Sequence, residues 1–264
     1  GDACLAESNL PLRNRWASRQ IFQDGCCNTS SLGPRHLLVV FVAGSSPAEQ
    51  AAVLRSAHGL VEAMAVPRLT TTLAFHVLTY DGNGRHWGAS PRTITGGGRS
   101  RRLESLLYVT DASLHNAQVY TPKFAIIALA QEHLHGVHSG PARPDAVWLP
   151  DADMDFTGFA ALRFFSRWQC AWPGLAPPLI SQPTIRGPTS APTQLWWPIH
   201  EGSWLAGGPF HVEGRPPTAL LSDFVEMQAP LFDAAFFAWF FRGPGSLIAG
   251  MNVAQGHGWG IDNV

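Results

Sequence analysis

The chain has little charge and almost no lysine. Charged residues make up 14% of its 264 positions, the formal net charge is -1, and Lys123 is the lone lysine among 18 basic residues. Nucleic-acid binding driven by counterion release needs a broad basic field, which this balance excludes. Long apolar runs are also missing: no stretch of about 18 apolar residues is present, so no segment reads as membrane-spanning. The first 30 residues lack a signal-peptide layout, and the beginning reads as a processed or trimmed end. There is no internal repeat, no Gly-x-Ser-x-Gly elbow of a serine hydrolase and no EF-hand loop.

Four cysteines, Cys4, Cys26, Cys27 and Cys170, have no zinc-type spacing and allow three full pairings. Vicinal Cys26 and Cys27 do not easily bond to each other, so in an oxidising compartment each would reach elsewhere, to Cys4 or Cys170. Beside them Asn28-Thr29-Ser30 is an N-glycosylation sequon, which has meaning only in a secretory compartment. The expectation is a luminal (Golgi) or extracellular protein whose anchor or signal lies outside this sequence.

What is present is a globular composition, 45% hydrophobic, with 26 glycines and 21 prolines that call for long irregular connections. Residues 1–34 read as an N-terminal arm that disulfides would tie to the body, and 35–264 as one domain. His36–Ala43 is a continuous apolar run, the pattern of a strand buried on both faces. Pro47 to Met64 has helical apolar spacing. A second strand is expected from Thr72 to Tyr80, ending at Asp81-Gly82, then a loop from Asn83 to Arg102 and a short strand from Leu106 to Thr110. Pro122 to Leu134 reads as helix, Ala146–Leu149 as a buried strand, and Gly158 to Trp168 as helix. A proline-rich strand near 178–184 follows. Phe224 to Phe241 is expected to be a core helix, apolar nearly all round. Alternating strands and helices predict a mostly parallel central sheet flanked by helices, with an irregular Pro/Gly-rich second half. Ligands of such sheets sit beyond the carboxyl ends of the strands, where Asp81 and the cluster Asp151, Asp153 and Asp155 fall.

In an extended segment those three alternate carboxylates share one side and would repel unless a cation sat among them. Hard oxygen ligands suit Mg²⁺ or Mn²⁺. The competing reading is a solvated turn, with Asp155 capping the next helix. Lys123 stands at a helix start, where ammonium and helix dipole both favour phosphate. His133, His135 and His138 read as a polar helix end, in which 135 and 138 would face one way and 133 another.

A buried strand ending in Asp-x-Asp after a nucleotide-fold first half resembles the GT-A class of glycosyltransferases. More narrowly, Phe75-His-Val-Leu-Thr-Tyr-Asp-Gly82, Thr121-Pro-Lys-Phe124, Ala146-Val-Trp-Leu-Pro-Asp-Ala-Asp153, Ile180-Ser-Gln-Pro183, Phe224-Val-Glu-Met-Gln-Ala-Pro230 and Gly256-His-Gly-Trp-Gly-Ile-Asp262 resemble, in order, the plant and algal family catalogued as domain of unknown function 707. The resemblance implies a GT-A-like fold, a UDP- or GDP-sugar donor, a glycan, protein or other hydroxyl acceptor, and Mn²⁺ or Mg²⁺ held by Asp151 and Asp153. It places Asp81 near the donor nucleoside and Trp259 against a sugar. It makes Asp262 the general base, with Glu226 the competing carboxylate, and inversion follows only if Asp262 is that base. His257 is the histidine within reach of the metal. In the resembling family a further histidine lies downstream of this motif, whereas the sequence stops at Val264, so the third ligand stays open. The alternative is a non-catalytic, glycan-binding or structural subunit of the same fold. A phosphoryl transferase or nuclease ranks third, because only one dense acidic cluster is present.

Overall fold

The computed structural model describes residues 19–21, 32–97, 102–112, 123–140, 143–170, 178–183, 219–221 and 228–243. Its elements in chain order are β1 (Arg19–Ile21), β2 (His36–Ala43), α1 (Pro47–Met64), β3 (Thr72–Thr79), β4 (Arg92–Gly96), β5 (Leu103–Asp111), α2 (Lys123–Val137), β6 (Ala146–Trp148), α3 (Ala161–Cys170), β7 (Ile180–Ser181), β8 (Ala219–Leu221), β9 (Leu231–Asp233) and α4 (Ala234–Arg242). A seven-stranded sheet has the order β4-β5-β3-β2-β6-β9-β7, and β1 pairs with β8 in a separate two-stranded ribbon. In the large sheet β5, β3, β2 and β6 are parallel neighbours, while β4 and β9 run against their partners. This is the mostly parallel, helix-flanked layout expected of a GT-A-like α/β fold.

The apolar run of β2 is buried because helices cover both faces of the sheet. On one face Val39, Phe41, Phe75, Val77 and Trp148 pack with Val53, Leu60 and Val61 of α1 and Phe165 of α3. On the other, Leu38, Val40, Leu78 and Val147 meet Phe124, Ile127 and Leu134 of α2 and Phe237 and Phe241 of α4. Leu32, 1% exposed, belongs to the first cluster.

Several elements differ from their sequence signals. The expected loop from Asn83 to Arg102 contains a 3₁₀ turn at Gly84–Trp87 and the edge strand β4. The expected core helix to Phe241 begins only at Ala234. Residues 231–233 form β9, with Phe232 in the sheet, and Asp233 ends the strand by accepting from the N–H groups of Ala235 and Phe236 at 2.9 Å. Nor is the helix buried all round, since Trp239 is 59% exposed. The expected helix at Gly158 starts at Ala161, after a turn in which Gly158 takes φ +76°.

Candidate functional site

Parallel pairing brings the ends of β2, β3, β5 and β6 to one edge of the sheet. At the end of β2, Ser46 caps α1 by accepting from the N–H of Glu49 (3.3 Å), and Pro47 takes the first helical position. The Glu49 carboxylate turns back on the same corner. It accepts from Gly44 N (2.8 Å), Ser46 Oγ (2.6 Å) and the Tyr80 hydroxyl (2.5 Å). A Cβ at Gly44 would stand 2.6 Å from Glu49 Oε2, so any larger residue would displace that carboxylate from the corner. Burial pushes the Glu49 carboxyl up, but the hydrogen bonds from Ser46, Tyr80 and Gly44 outweigh it and leave it below its ordinary value. The same hydrogen bond, followed by burial, pushes Tyr80 up to about 12.

Asp81, just past β3, fixes the neighbouring loop. Oδ2 accepts from Ser45 N at 2.7 Å, and Oδ1 accepts from Ser45 Oγ at 3.0 Å and Asn83 N at 3.1 Å. Burial raises its carboxyl, yet these bonds hold it below the ordinary carboxylate range. Asp81 therefore lies at the expected edge, and its visible work is to tie the β2–α1 corner to the end of β3.

Beyond β6 the chain leaves the sheet by a turn, with Met154 N donating to Asp151 O at 3.2 Å. β6 is only three residues long and the chain turns at Asp151, so the extended path assumed for Asp151, Asp153 and Asp155 is absent. Asp153 is exposed. Asp155 accepts from Thr157 N at 2.7 Å, and that bond holds its carboxyl low. It thus closes a turn ahead of α3 and does not cap the helix itself. Asp151 is taken by Lys123, whose ammonium donates to Asp151 Oδ1 at 2.6 Å, to Leu149 O at 3.0 Å and to Gln228 O at 3.5 Å. The lysine side chain is 17% exposed and that of Asp151 41%. Backbone bonds from Leu149 N to Pro230 O (2.9 Å) and from Asp151 N to Gln228 O (2.7 Å) extend the β6–β9 ladder and set the two carbonyls that face the ammonium.

By themselves the described residues do not make a closed Mn²⁺ or Mg²⁺ site. Of the two expected carboxylates, Asp151 already holds the Lys123 ammonium and Asp153 stands in solvent, so an ion here would depend on oxygens from water or a bound phosphate. Among the described residues no group of three or more His, Cys, Asp or Glu side chains is arranged to hold a metal. Glu226, His257, Trp259 and Asp262 lie outside the described residues, as do Cys4, Cys26, Cys27 and the Asn28 sequon.

A polar cluster of which the sequence singled out only His133 and His138 lies between β3, β5 and the end of α2. His76, fully buried on β3, makes hydrogen bonds through Nδ1 to His138 Nε2 (3.0 Å) and through Nε2 to Thr110 Oγ1 (2.9 Å). Thr110 Oγ1 is in turn 2.9 Å from His133 Nε2, and the Tyr108 ring stacks on His76 at 6.1 Å. His133 and His138 therefore both reach this cluster, His133 from the exposed rim and His138 half-buried, while His135 is exposed and has no bond to it. This reverses the expected pairing of 135 with 138. His138 lies one residue past the end of α2 at Val137, with its N–H still bonded to Leu134 O (3.1 Å). A separate cavity of about 520 Å³ between α1 and α3, lined by Ala63, Val66, Leu162 and Ser166 among others, contains none of the nominated residues.

No family model matches the chain, and no curated protein matches it. Among solved structures, apo mouse xyloside xylosyltransferase 1 aligns with 83% of this chain and 73% of its own, at 12% identity and a TM-score of 0.35.

Proposed function

We propose that the chain is a glycosyltransferase that moves a sugar from a UDP- or GDP-linked donor to a hydroxyl of a glycan or glycoprotein acceptor in the secretory pathway. One observation supports this most: Ser45, Asp81, Lys123 and Asp151 gather at the carboxyl edge of the parallel strands, where open α/β sheets take their ligands. The N-terminus of the 15-residue helix α2 opens on the same edge and favours a diphosphate there. In this reading Asp81 borders the nucleoside and Asp153 faces the ligand from solvent. Trp259 carries the acceptor sugar. Asp262, or Glu226 in its place, takes the proton of the attacking hydroxyl as the bond between the anomeric carbon and the diphosphate breaks. His257 and a divalent ion belong to the expectation from sequence, but by themselves the described residues do not close a site for the ion and no step is routed through it.

The rival is a non-catalytic glycan-binding or structural subunit. It is favoured by the Lys123–Asp151 pair, in which the ammonium charge is already offset by a carboxylate. Melting curves with UDP, GDP and CDP and their sugars, with and without Mn²⁺, separate the two. A ligand at a hundredfold its Kd adds about 2.7 kcal/mol, several degrees in a protein of this size. Stabilisation by one nucleotide, together with release of its sugar, supports the transferase. Stabilisation by free glycans alone, with no nucleotide effective, overturns it.

A further inference from the structure

We infer that the Lys123 ammonium is the resident cation at the carboxyl edge of the sheet and that it keeps divalent metal ions off Asp151. Among the described residues three oxygens from two segments lie at Nζ: the Asp151 carboxylate (2.6 Å), the Leu149 carbonyl (3.0 Å) and, more distant, the Gln228 carbonyl (3.5 Å). An ammonium donates three N–H bonds, and this set gives each an acceptor. Carboxylate plus carbonyl oxygen is also the donor chemistry that Mg²⁺, Mn²⁺ or Ca²⁺ takes. The seat is thus built for a hard cation, and a covalently attached one fills it.

The choice of residue supports this. Every other basic Lys/Arg position in the chain is arginine, whose flat guanidinium spreads its donors over a wide fork. A seat made of two backbone carbonyls and one carboxylate suits a compact point charge. Lys123 reaches it from the first residue of α2, across 28 positions of sequence from Asp151, and most of its side chain is covered. A divalent ion binding Asp151 would face that ammonium at close range, and like charges so near repel strongly where water is partly excluded.

The inference concerns the cation at this edge and holds whether or not the chain transfers sugar, so it is tested without nucleotide. Mn²⁺ binding is followed by the electron-spin resonance of free Mn²⁺ in wild type, Lys123→Met, Asp151→Asn and the double variant. The expected result is weak Mn²⁺ binding by wild type that Asp151→Asn does not change. Lys123→Met should bind at least about tenfold tighter, and the double variant should lose the gain. Tight wild-type binding that falls about tenfold in Asp151→Asn overturns the inference, as does a folded Lys123→Met that gains nothing. Should the variants fail to fold, the lone lysine gives a direct reading in the wild-type chain. Its side-chain ammonium signal in a nitrogen-15 correlation spectrum must survive equimolar Mn²⁺ unbroadened, and bleaching of that signal overturns the inference.

Discussion

His76 and His138 share one short hydrogen bond, 3.0 Å from Nδ1 to Nε2, inside the fold. Burial first, then the charges of His138 and His133, pushes His76 down to about 3, and burial followed by His133 pushes His138 to about 4. Both rings are therefore neutral in the native protein at any mildly acidic pH. Both gain protons near 6.5 once unfolded.

The pH dependence follows from that difference. Between about pH 6.5 and the lowered native values the unfolded chain binds more protons, so stability is complete above 6.5 and falls as the pH drops toward 4 and 3. For His76 alone the loss at pH 5 is about 2 kcal/mol relative to pH 7. The groups facing it are His138, His133, Thr110 and Tyr108, and none of these is acidic. Urea unfolding at pH 7 and pH 5 checks this, with His76→Gln predicted to remove much of the difference. Equal midpoints at the two pH values in wild type would refute it.

The reading from sequence succeeded where a single pattern dominated. β2 and α1 have the expected limits because an unbroken apolar run has only one burial solution and Ser46-Pro47 marks a helix start chemically. β4 was hidden because only Ile94 of its five residues is buried. β9 was hidden because Leu231 and Phe232 are equally good in a helix, and only pairing with β6 decides between them. At the site, Asp81, Lys123 and Asp151 were legible as residues, since the rule for strand ends needs no coordinates. Their partners were not. The Lys123–Asp151 pair depends on how α2 crosses the sheet, and His76 lies in a strand pattern with nothing to distinguish it from any polar interruption.

Gly44→Ala should destabilise the chain by about 1–2 kcal/mol, because the new Cβ meets a carboxylate held in place by Gly44, Ser46 and Tyr80. The cost should shrink when Glu49→Ala is present as well, since the obstructing group is then gone. Denaturant unfolding of the four-member cycle measures this. Additive costs would show that the close approach of residues 44 and 49 is not the cause.

Lys123 and Asp151 should be energetically coupled by about 1–2 kcal/mol, the range for a charge-assisted hydrogen bond, reduced because Asp151 is 41% exposed. Lys123→Met and Asp151→Asn should each destabilise, and the pair together should cost less than their sum. The coupling should persist in about 1 M salt to a large extent, as a mostly covered pair is screened less than a surface one. A coupling near zero would mean that the contact is incidental.

Trp148 connects the core to that pair. Its indole Nε1 donates to Ala229 O at 2.9 Å, and Ala229 follows Gln228, whose carbonyl faces the Lys123 ammonium. The ring itself packs against Phe156, Phe159, Phe164 and Phe165, all within 6.3 Å between centroids. Trp148→Phe keeps an aromatic ring but leaves a buried carbonyl without its donor and a gap in a dense cluster, at a cost of about 2–4 kcal/mol. The distinctive consequence lies elsewhere. With Ala229 released, the 228–230 segment loses one of the bonds that set it, so the Lys123–Asp151 coupling should fall in the Trp148→Phe background even though neither residue touches the ring. If the coupling keeps its full value there, the indole hydrogen bond serves the core alone and the cation seat is set by the β6–β9 ladder without it.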